Sequence, residues 1–157
     1  MDAHDDFFAA VATLGTIETL DVEALRLMYR VECAGEVFYN LLADRIGHPG
    51  AAELLRRNGR EERAHAERIR RVLAIKLGRP YEPTDADRAP YVMTLPETIS
   101  AAFLPLIVQG ELDGDAGYQR WADRESDPEA QRLLRQNGRE ETTHGERVRE
   151  VIALLGG

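Results

Sequence analysis

Two Glu-x-x-His motifs are the residues of this chain best suited to metal chemistry. They lie in similar stretches, LLRRNGREERAHAERIRRV from residue 54 and LLRQNGREETTHGERVREV from residue 133, and pair Glu62 with His65 and Glu141 with His144. Residues three apart on a helix share one face and lie about 4.5 Å apart along its axis. Each motif can therefore present a carboxylate and an imidazole side by side, a combination that suits iron and manganese.

A further glutamate precedes each motif by a constant distance. Glu32 lies 30 residues before Glu62, and Glu111 lies 30 residues before Glu141. In an antiparallel hairpin that turns near residue 47, the members of the first pair lie at the same height. Each hairpin would then deliver two carboxylates and one imidazole to one half of a common site.

The similarity between the two halves extends well beyond the motifs. Residues 32–73 align with residues 111–152 without a gap at an offset of 79, and half of the aligned positions are identical. The fold is therefore predicted to consist of two copies of one unit.

Each unit is predicted to be a hairpin of two long helices. The first hairpin, 21–78, begins with Asp21 as N-cap, breaks at GHPG and ends with Gly78 beyond its second helix. The second hairpin, 100–157, breaks at ESDPE, and Pro105 either kinks its first helix or delays the start of that helix. No segment alternates with a period of two, so no strand is predicted.

The segments outside the hairpins are predicted to be mostly irregular. Residues 79–99 contain four prolines and form a link long enough to cross the length of a bundle. In the N-terminal segment, 1–20, the residues Phe7, Phe8 and Val11 favour a short amphipathic helix. The predicted fold class is all-α, an antiparallel four-helix bundle with a long crossover between its second and third helices.

The candidate ligands occupy positions that heptad phase assigns to the bundle core. Glu62 shares its row with Leu55 and Ile69, and the other candidates interrupt equivalent apolar rows. Burying an unpaired carboxylate costs several kcal/mol, and no lysine or arginine occupies these rows. Two divalent cations would balance the charge of four carboxylates. The predicted ligand set is Glu32, Glu62, His65, Glu111, Glu141 and His144.

Six other polar residues are candidates for supporting this site. They are Glu36, Asp115, Asn58, Asn137, Tyr39 and Tyr118. The two acidic residues lie one turn beyond the upstream glutamates, where they either contact metal or act as flanking charges. The asparagines are expected to face them across each hairpin, and the tyrosines to be core aromatics with hydrogen-bonded hydroxyls. Glu61 and Glu140, by contrast, are expected to turn away from the core.

One Glu from each of two helices plus Glu-x-x-His from each of the other two is the ligand set of ferritin-like di-iron and di-manganese bundles. On these residues the chain resembles the rubrerythrin-like or erythrin-like branch of that superfamily over about 21–155. The resemblance implies a single ferritin-like domain, 1–157, in which Glu62 and Glu141 bridge two iron ions, with manganese as the alternative. It also implies that the remaining four ligands are terminal.

The chain departs from the rubrerythrin pattern in two respects. It contains no Cys-x-x-Cys of a rubredoxin-like module, so electrons must come from an external donor. Rubrerythrins also carry a further Glu three residues after the third-helix ligand, where this chain has Gly114, matched by Gly35 in the first half. Glycine at these positions would leave room for O₂ or a small substrate beside the metals.

Composition narrows the remaining possibilities. The chain has 157 residues, 43% hydrophobic and 31% charged, which is typical of a folded globular protein. Its net charge of −8 argues against nucleic acid or an anionic membrane as a partner. The N-terminal stretch lacks the basic region of a signal peptide, and the expected location is the cytoplasm.

The expected function is that of an O₂-activating or peroxide-activating oxidase, peroxidase or ferroxidase. Its partners would be O₂ or H₂O₂ and an external electron donor, and the chain could assemble as a homodimer. No catalytic residue is identified beyond the metal ligands. The alternatives are a di-iron hydroxylase of a small organic substrate, an iron-storage protein and a metal-free helical interaction module.

Overall fold

The computed structural model describes residues 5–156, and it is helical almost throughout. Its helices are α1 (Phe7–Gly15), α2 (Val22–Arg45), α3 (Pro49–Leu77), α4 (Leu104–Arg124) and α5 (Pro128–Leu154). Within the described residues there is no β-strand, and the single isolated bridge joins Asp6 to Val92. The predicted all-α fold is confirmed. The predicted N-terminal helix is observed as α1, while residues 1–4 and 157 lie outside the described part.

Short polar residues and glycine set the ends of the bundle helices. The Asp21 carboxylate accepts a hydrogen bond from the Ala24 amide at 2.8 Å and caps α2. Gly78 follows α3 with φ +62°, a left-handed conformation that glycine adopts without steric cost. Asp127 caps α5 in the same way as Asp21 caps α2. These caps place the helix boundaries close to where the sequence predicted them.

The start of α4 resolves the question raised by Pro105. The helix begins at Leu104 with this proline in its first turn, and no side chain caps it. The first turn tolerates proline because its amide groups have no partner inside the helix. Pro105 therefore delays the helix and does not kink it.

The helices pack as two hairpins, α2 with α3 and α4 with α5, joined mainly through α3 and α5. The backbones of α2 and α4 lie farther apart than those of the other neighbouring helices in the described part of the chain, and side-chain hydrogen bonds connect the two. Buried apolar side chains form two clusters. One includes Leu42, Leu55 and Val151, and the other includes Leu25 and Ile69.

The link between the hairpins runs along α2 from one end of the bundle to the other. Arg26 forms an ion pair with Asp87 at 2.9 Å near the start of α2. The Ile99 amide donates to the Arg45 carbonyl at 3.0 Å at the end of that helix. A single 3₁₀ turn, Ala86–Arg88, interrupts this otherwise irregular crossover. No helix of residues 5–156 is long and apolar enough to cross a membrane.

Candidate metal centre

All six predicted ligands come together in the interior of the bundle, each contributed by one of the four long helices. Their donor atoms form two overlapping groups, and within each group the atoms lie within 4.8 Å of one another. Glu62 and Glu141 belong to both groups. The first group is completed by Glu32 and His65, and the second by Glu111 and His144.

The two shared glutamates extend one oxygen toward each histidine. Glu62 places Oε2 3.5 Å from Nδ1 of His65 and Oε1 3.1 Å from Nδ1 of His144. Glu141 places Oε1 3.3 Å from Nδ1 of His65 and Oε2 3.3 Å from Nδ1 of His144. The two imidazole rings are stacked with centroids 5.1 Å apart. Each of these carboxylates can therefore bridge two cations, one held by each histidine.

The histidines turn only one ring nitrogen toward this cluster. In both rings Nδ1 is buried and has no hydrogen-bond partner among the described residues. Nε2 of His65 lies 3.0 Å from Glu140, and Nε2 of His144 lies 3.1 Å from Glu61. A carboxylate at Nε2 favours a proton on that nitrogen, which leaves the Nδ1 lone pair free for a metal. A buried donor atom without a partner is what a metal ligand requires, so these residues fit the ion.

The heptad register predicted that Glu61 and Glu140 turn away from the core, and this prediction was wrong. Each reaches across to the histidine of the other hairpin, and each is held there by an arginine. Arg147 donates to both Glu61 oxygens at 2.6 and 3.0 Å, and Arg68 donates to both Glu140 oxygens at 2.7 and 3.0 Å. In the sequence, Glu61 and Arg68 correspond to Glu140 and Arg147 at the offset of 79. This repetition was the sequence signal that could have identified these residues.

The two asparagines make hydrogen bonds between the hairpins, and neither pairs with Glu36 or Asp115 as predicted. Asn58 donates to the His144 carbonyl at 3.2 Å and accepts from Arg147 at 2.9 Å. Asn137 makes the equivalent contacts with the His65 carbonyl and Arg68, at 3.3 and 2.8 Å. Within the second hairpin, Asn137 also donates to the Tyr118 hydroxyl at 3.2 Å. Both side chains are fully buried, so their hydrogen bonds fix the distance between α3 and α5 behind the histidines.

The tyrosines support the terminal glutamates in the same reciprocal manner. The Tyr39 hydroxyl donates to Glu111, and the Tyr118 hydroxyl donates to Glu32. The prediction of core aromatics with hydrogen-bonded hydroxyls is confirmed. Burial and the adjacent carboxylates raise the pKa of both phenols well above the ordinary value, which keeps both tyrosines protonated as donors.

Glu36 and Asp115 do not join the cluster. Glu36 forms an ion pair with Arg63 at 2.7 Å on the outside of the first hairpin. Asp115 accepts hydrogen bonds from Thr142 at 2.6 Å and Gln119 at 2.8 Å. Neither side chain belongs to the two groups of converging donor atoms. Their positions match the alternative of flanking charges.

Burial and mutual repulsion divide the four carboxyl groups into two classes. Burial raises the pKa of Glu32 to about 8, and burial together with the Glu141 charge raises the pKa of Glu111 well above its usual range. Burial also opposes ionisation of Glu62 and Glu141, but the adjacent histidines outweigh it and lower both pKa values. Without metal, the shared glutamates are therefore anionic and the terminal glutamates are protonated near neutral pH.

The histidines carry the compensating positive charge in that state. Burial opposes protonation, yet the surrounding carboxylates raise the pKa of His144 to about 9 and the pKa of His65 well above its usual range. Two imidazolium cations then balance the anions of Glu62 and Glu141. The protons occupy the place that two divalent cations would take, and metal uptake must displace them.

The side of the cluster opposite the histidines opens into a cavity of about 430 Å³ between α2 and α4, with α1 along one wall. All four cluster glutamates line this cavity, whereas neither histidine does. Gly35 and Gly114 line it as well, as expected for space beside the ligands. The two glycines are not equivalent, because a Cβ at Gly35 would lie 3.0 Å from the Glu62 carboxyl carbon. A Cβ at Gly114 would make ordinary contacts with the Glu141 side chain, the nearest being Cγ at 3.5 Å.

The fold and the cluster together define a helical bundle with a buried carboxylate–histidine site that fits metal ions. The family model described as Rubrerythrin matches residues 23–152, which includes all four bundle helices except the ends of α2 and α5. The chain belongs to the rubrerythrin family. Comparisons with curated proteins and with solved structures gave no match.

Proposed function

We propose that this protein holds two iron ions in the cluster and uses them for oxidation–reduction with O₂ or H₂O₂. The observation that carries the proposal is the position of Glu62 and Glu141, each with one oxygen toward either histidine. Iron in a carboxylate and imidazole environment supplies reversible Fe²⁺/Fe³⁺ chemistry. Family membership supports the same assignment.

The protein residues have distinct roles in this proposal. Glu62 and Glu141 would help to hold both ions, while His65 and His144 would each hold one ion through Nδ1. Their Nε2 protons stay on the side of Glu140 and Glu61, which orients the rings. The remaining ligands, Glu32 and Glu111, face the cavity and keep one oxygen on a tyrosine hydroxyl. The apolar clusters of the core exclude bulk water from the rest of the site.

The test is metal analysis of the freshly purified protein beside Glu62→Ala and Glu141→Ala. About two iron ions per chain are expected in the native protein, with both variants losing them. Glu36→Ala is the matched control, because Glu36 lies on α2 outside the cluster. Native protein that binds no iron or manganese, and gains no thermal stability from either, would contradict the proposal.

Reaction of the reduced, metal-loaded protein distinguishes the activities. Faster oxidation by H₂O₂ than by O₂ would assign a peroxidase, and the reverse order an oxidase or ferroxidase. The chain has one cysteine, Cys33, and therefore no internal cysteine pair to deliver electrons. The external donor, the homodimer and the cytoplasmic location stay predictions.

A further inference from the structure

The cavity between α2 and α4 is much larger than O₂ or H₂O₂ requires. Its volume of about 430 Å³ falls within the range of roughly 300–1,000 Å³ found for small-molecule sites. A water molecule takes up only about 30 Å³ in the liquid. A cavity of this size beside the cluster carboxylates has room for a small organic molecule.

The walls of the cavity are apolar over most of their extent. Three helices contribute them, α1, α2 and α4. The larger apolar side chains along the walls are Phe7, Leu14, Met28, Phe38, Ile107 and Trp121. Apolar surface of this kind gains free energy when an apolar ligand removes it from water. The walls therefore favour a hydrocarbon chain or ring over a polar metabolite.

The charged residues that line the cavity determine how a charged ligand would be oriented in it. Four glutamates line one part of it, whereas Arg120 lies exposed at another part of the lining. Arg120 has no hydrogen bond or ion pair within residues 5–156. Asp113, the remaining charged residue of this lining outside the cluster, accepts a hydrogen bond from Gln109 at 2.9 Å. A carboxylate is attracted to Arg120, whereas the cluster, with its own charges balanced, offers no unpaired cation, so an acid would enter with its apolar end toward the cluster.

We propose that the groove formed by this cavity binds a hydrophobic carboxylic acid, with the carboxylate at Arg120 and the apolar body along the walls toward Glu32 and Glu111. The proposal deepens the proposed function and rests on it, because the groove leads to the face of the cluster that the histidines leave open. The acid is then the molecule that lies beside the two ions. Binding itself needs only the groove and Arg120, so it can be measured separately from metal content.

Gly110 offers a substitution that fills the groove without disturbing the fold. It lines the cavity on α4, and a Cβ at this position would meet no atom within 4 Å. Leucine in a helix interior is also more favourable than glycine, so Gly110→Leu is expected to fold at least as well as the native chain. Ala116→Leu is the matched control, because Ala116 is exposed on the same helix outside the cavity lining.

The experiment is calorimetric titration of the protein as isolated with decanoate and with decyltrimethylammonium, which has the same chain length and the opposite charge. Decanoate is expected to bind the native chain and Ala116→Leu equally, and Gly110→Leu at least about tenfold more weakly. Arg120→Gln should weaken decanoate binding by about tenfold and should not weaken binding of the cationic probe. The cationic probe should bind the native chain more weakly than decanoate.

Three results would overturn the proposal. They are no decanoate binding, equal binding to Gly110→Leu, and equal affinity for the two probes. A dimer in size-exclusion chromatography that excludes decanoate would assign the groove to a second copy of the chain and overturn it as well. Metal content measured on the same samples separates the two ideas. Iron retained without decanoate binding contradicts only the groove, and an absence of iron contradicts the proposed function.

Discussion

The two sides of the cluster are built in opposite ways. On the α3–α5 side, helices pack directly, and among the described residues the buried side-chain polar atoms behind the histidines have hydrogen-bond partners. On the α2–α4 side, two tyrosine–glutamate hydrogen bonds join the helices, and the four cluster glutamates line a cavity. The closed side can fix the geometry of ligands, and the open side can admit a reactant. One bundle thus combines rigidity and access by assigning them to different helix pairs.

The largest effect should come from removing the carboxylates that hold the closed side. Glu61→Ala and Glu140→Ala each leave a histidine Nε2 without its acceptor, so iron affinity should fall about tenfold to 100-fold. Competition with a chelator would measure the change. Glu67→Ala is the control, because Glu67 is an exposed acidic residue on α3. Unchanged affinity in both variants would show that the outer carboxylates do not orient the rings.

The next largest effect should be the loss of folding stability when Arg147 is replaced. Arg147→Met removes the donor to Asn58 and the shortest contacts of the half-buried Glu61 carboxylate, which keeps the His144 contact and the longer Arg57 contact at 3.4 Å. The free energy of unfolding should fall by about 2 kcal/mol in urea denaturation. Arg71→Met breaks the more exposed Arg71–Glu129 pair and should cost less than about 1 kcal/mol. Equal losses in the two variants would remove the distinction between the closed side and ordinary surface.

The charges of the cluster predict opposite pH dependences for two properties: the stability of the metal-free protein should fall as pH rises, and iron affinity should rise. Without metal, His144 has a pKa of about 9 in the folded chain, above its ordinary value of 6.5. Its contribution to stability is complete below about pH 6.5 and is lost as pH rises toward about 9. The melting temperature of the metal-free protein should therefore fall between about pH 6.5 and 9. Iron affinity should rise over the same interval, because the cluster must release protons. A metal-free protein that melts at a higher temperature at the upper pH would contradict this assignment.

The smallest effects concern the two glycines of the open side. Gly35→Ala places a methyl group 3.0 Å from the Glu62 carboxyl carbon, so the Glu62 carboxylate must shift, and iron affinity should fall severalfold. Gly114→Ala makes only an ordinary contact with Glu141 and should stabilise α4 by up to about 1 kcal/mol. Isothermal iron titration and thermal melting would measure these effects. Identical behaviour of the two variants would mean that the asymmetry has no consequence.

The sequence predicted the positions that heptad phase and local capping determine. Glu32 and Glu62 interrupt apolar rows at the same height, and Asp21 and Gly78 mark helix ends by their own chemistry. The contacts of Asn58 and Glu61 were wrongly predicted. Heptad phase describes packing within the first hairpin, whereas both residues contact His144 of the second hairpin. Their partners depend on how α3 and α5 cross, which no local pattern encodes. The cavity depends likewise on the separation of α2 and α4, a result of packing across the whole bundle.

The reciprocal support of the ligands has a consequence for how such a chain can arise. Glu61 serves His144 while Glu140 serves His65, and Tyr39 serves Glu111 while its counterpart serves Glu32. Exchanges of this form are what two identical chains make across a twofold axis, where residue i meets j and j meets i. A single hairpin of this kind supplies two carboxylates and one imidazole, so it would complete the six-residue cluster only as a pair. The covalent link between the two halves makes that pairing permanent and allows the halves to differ, as the late start of α4 shows.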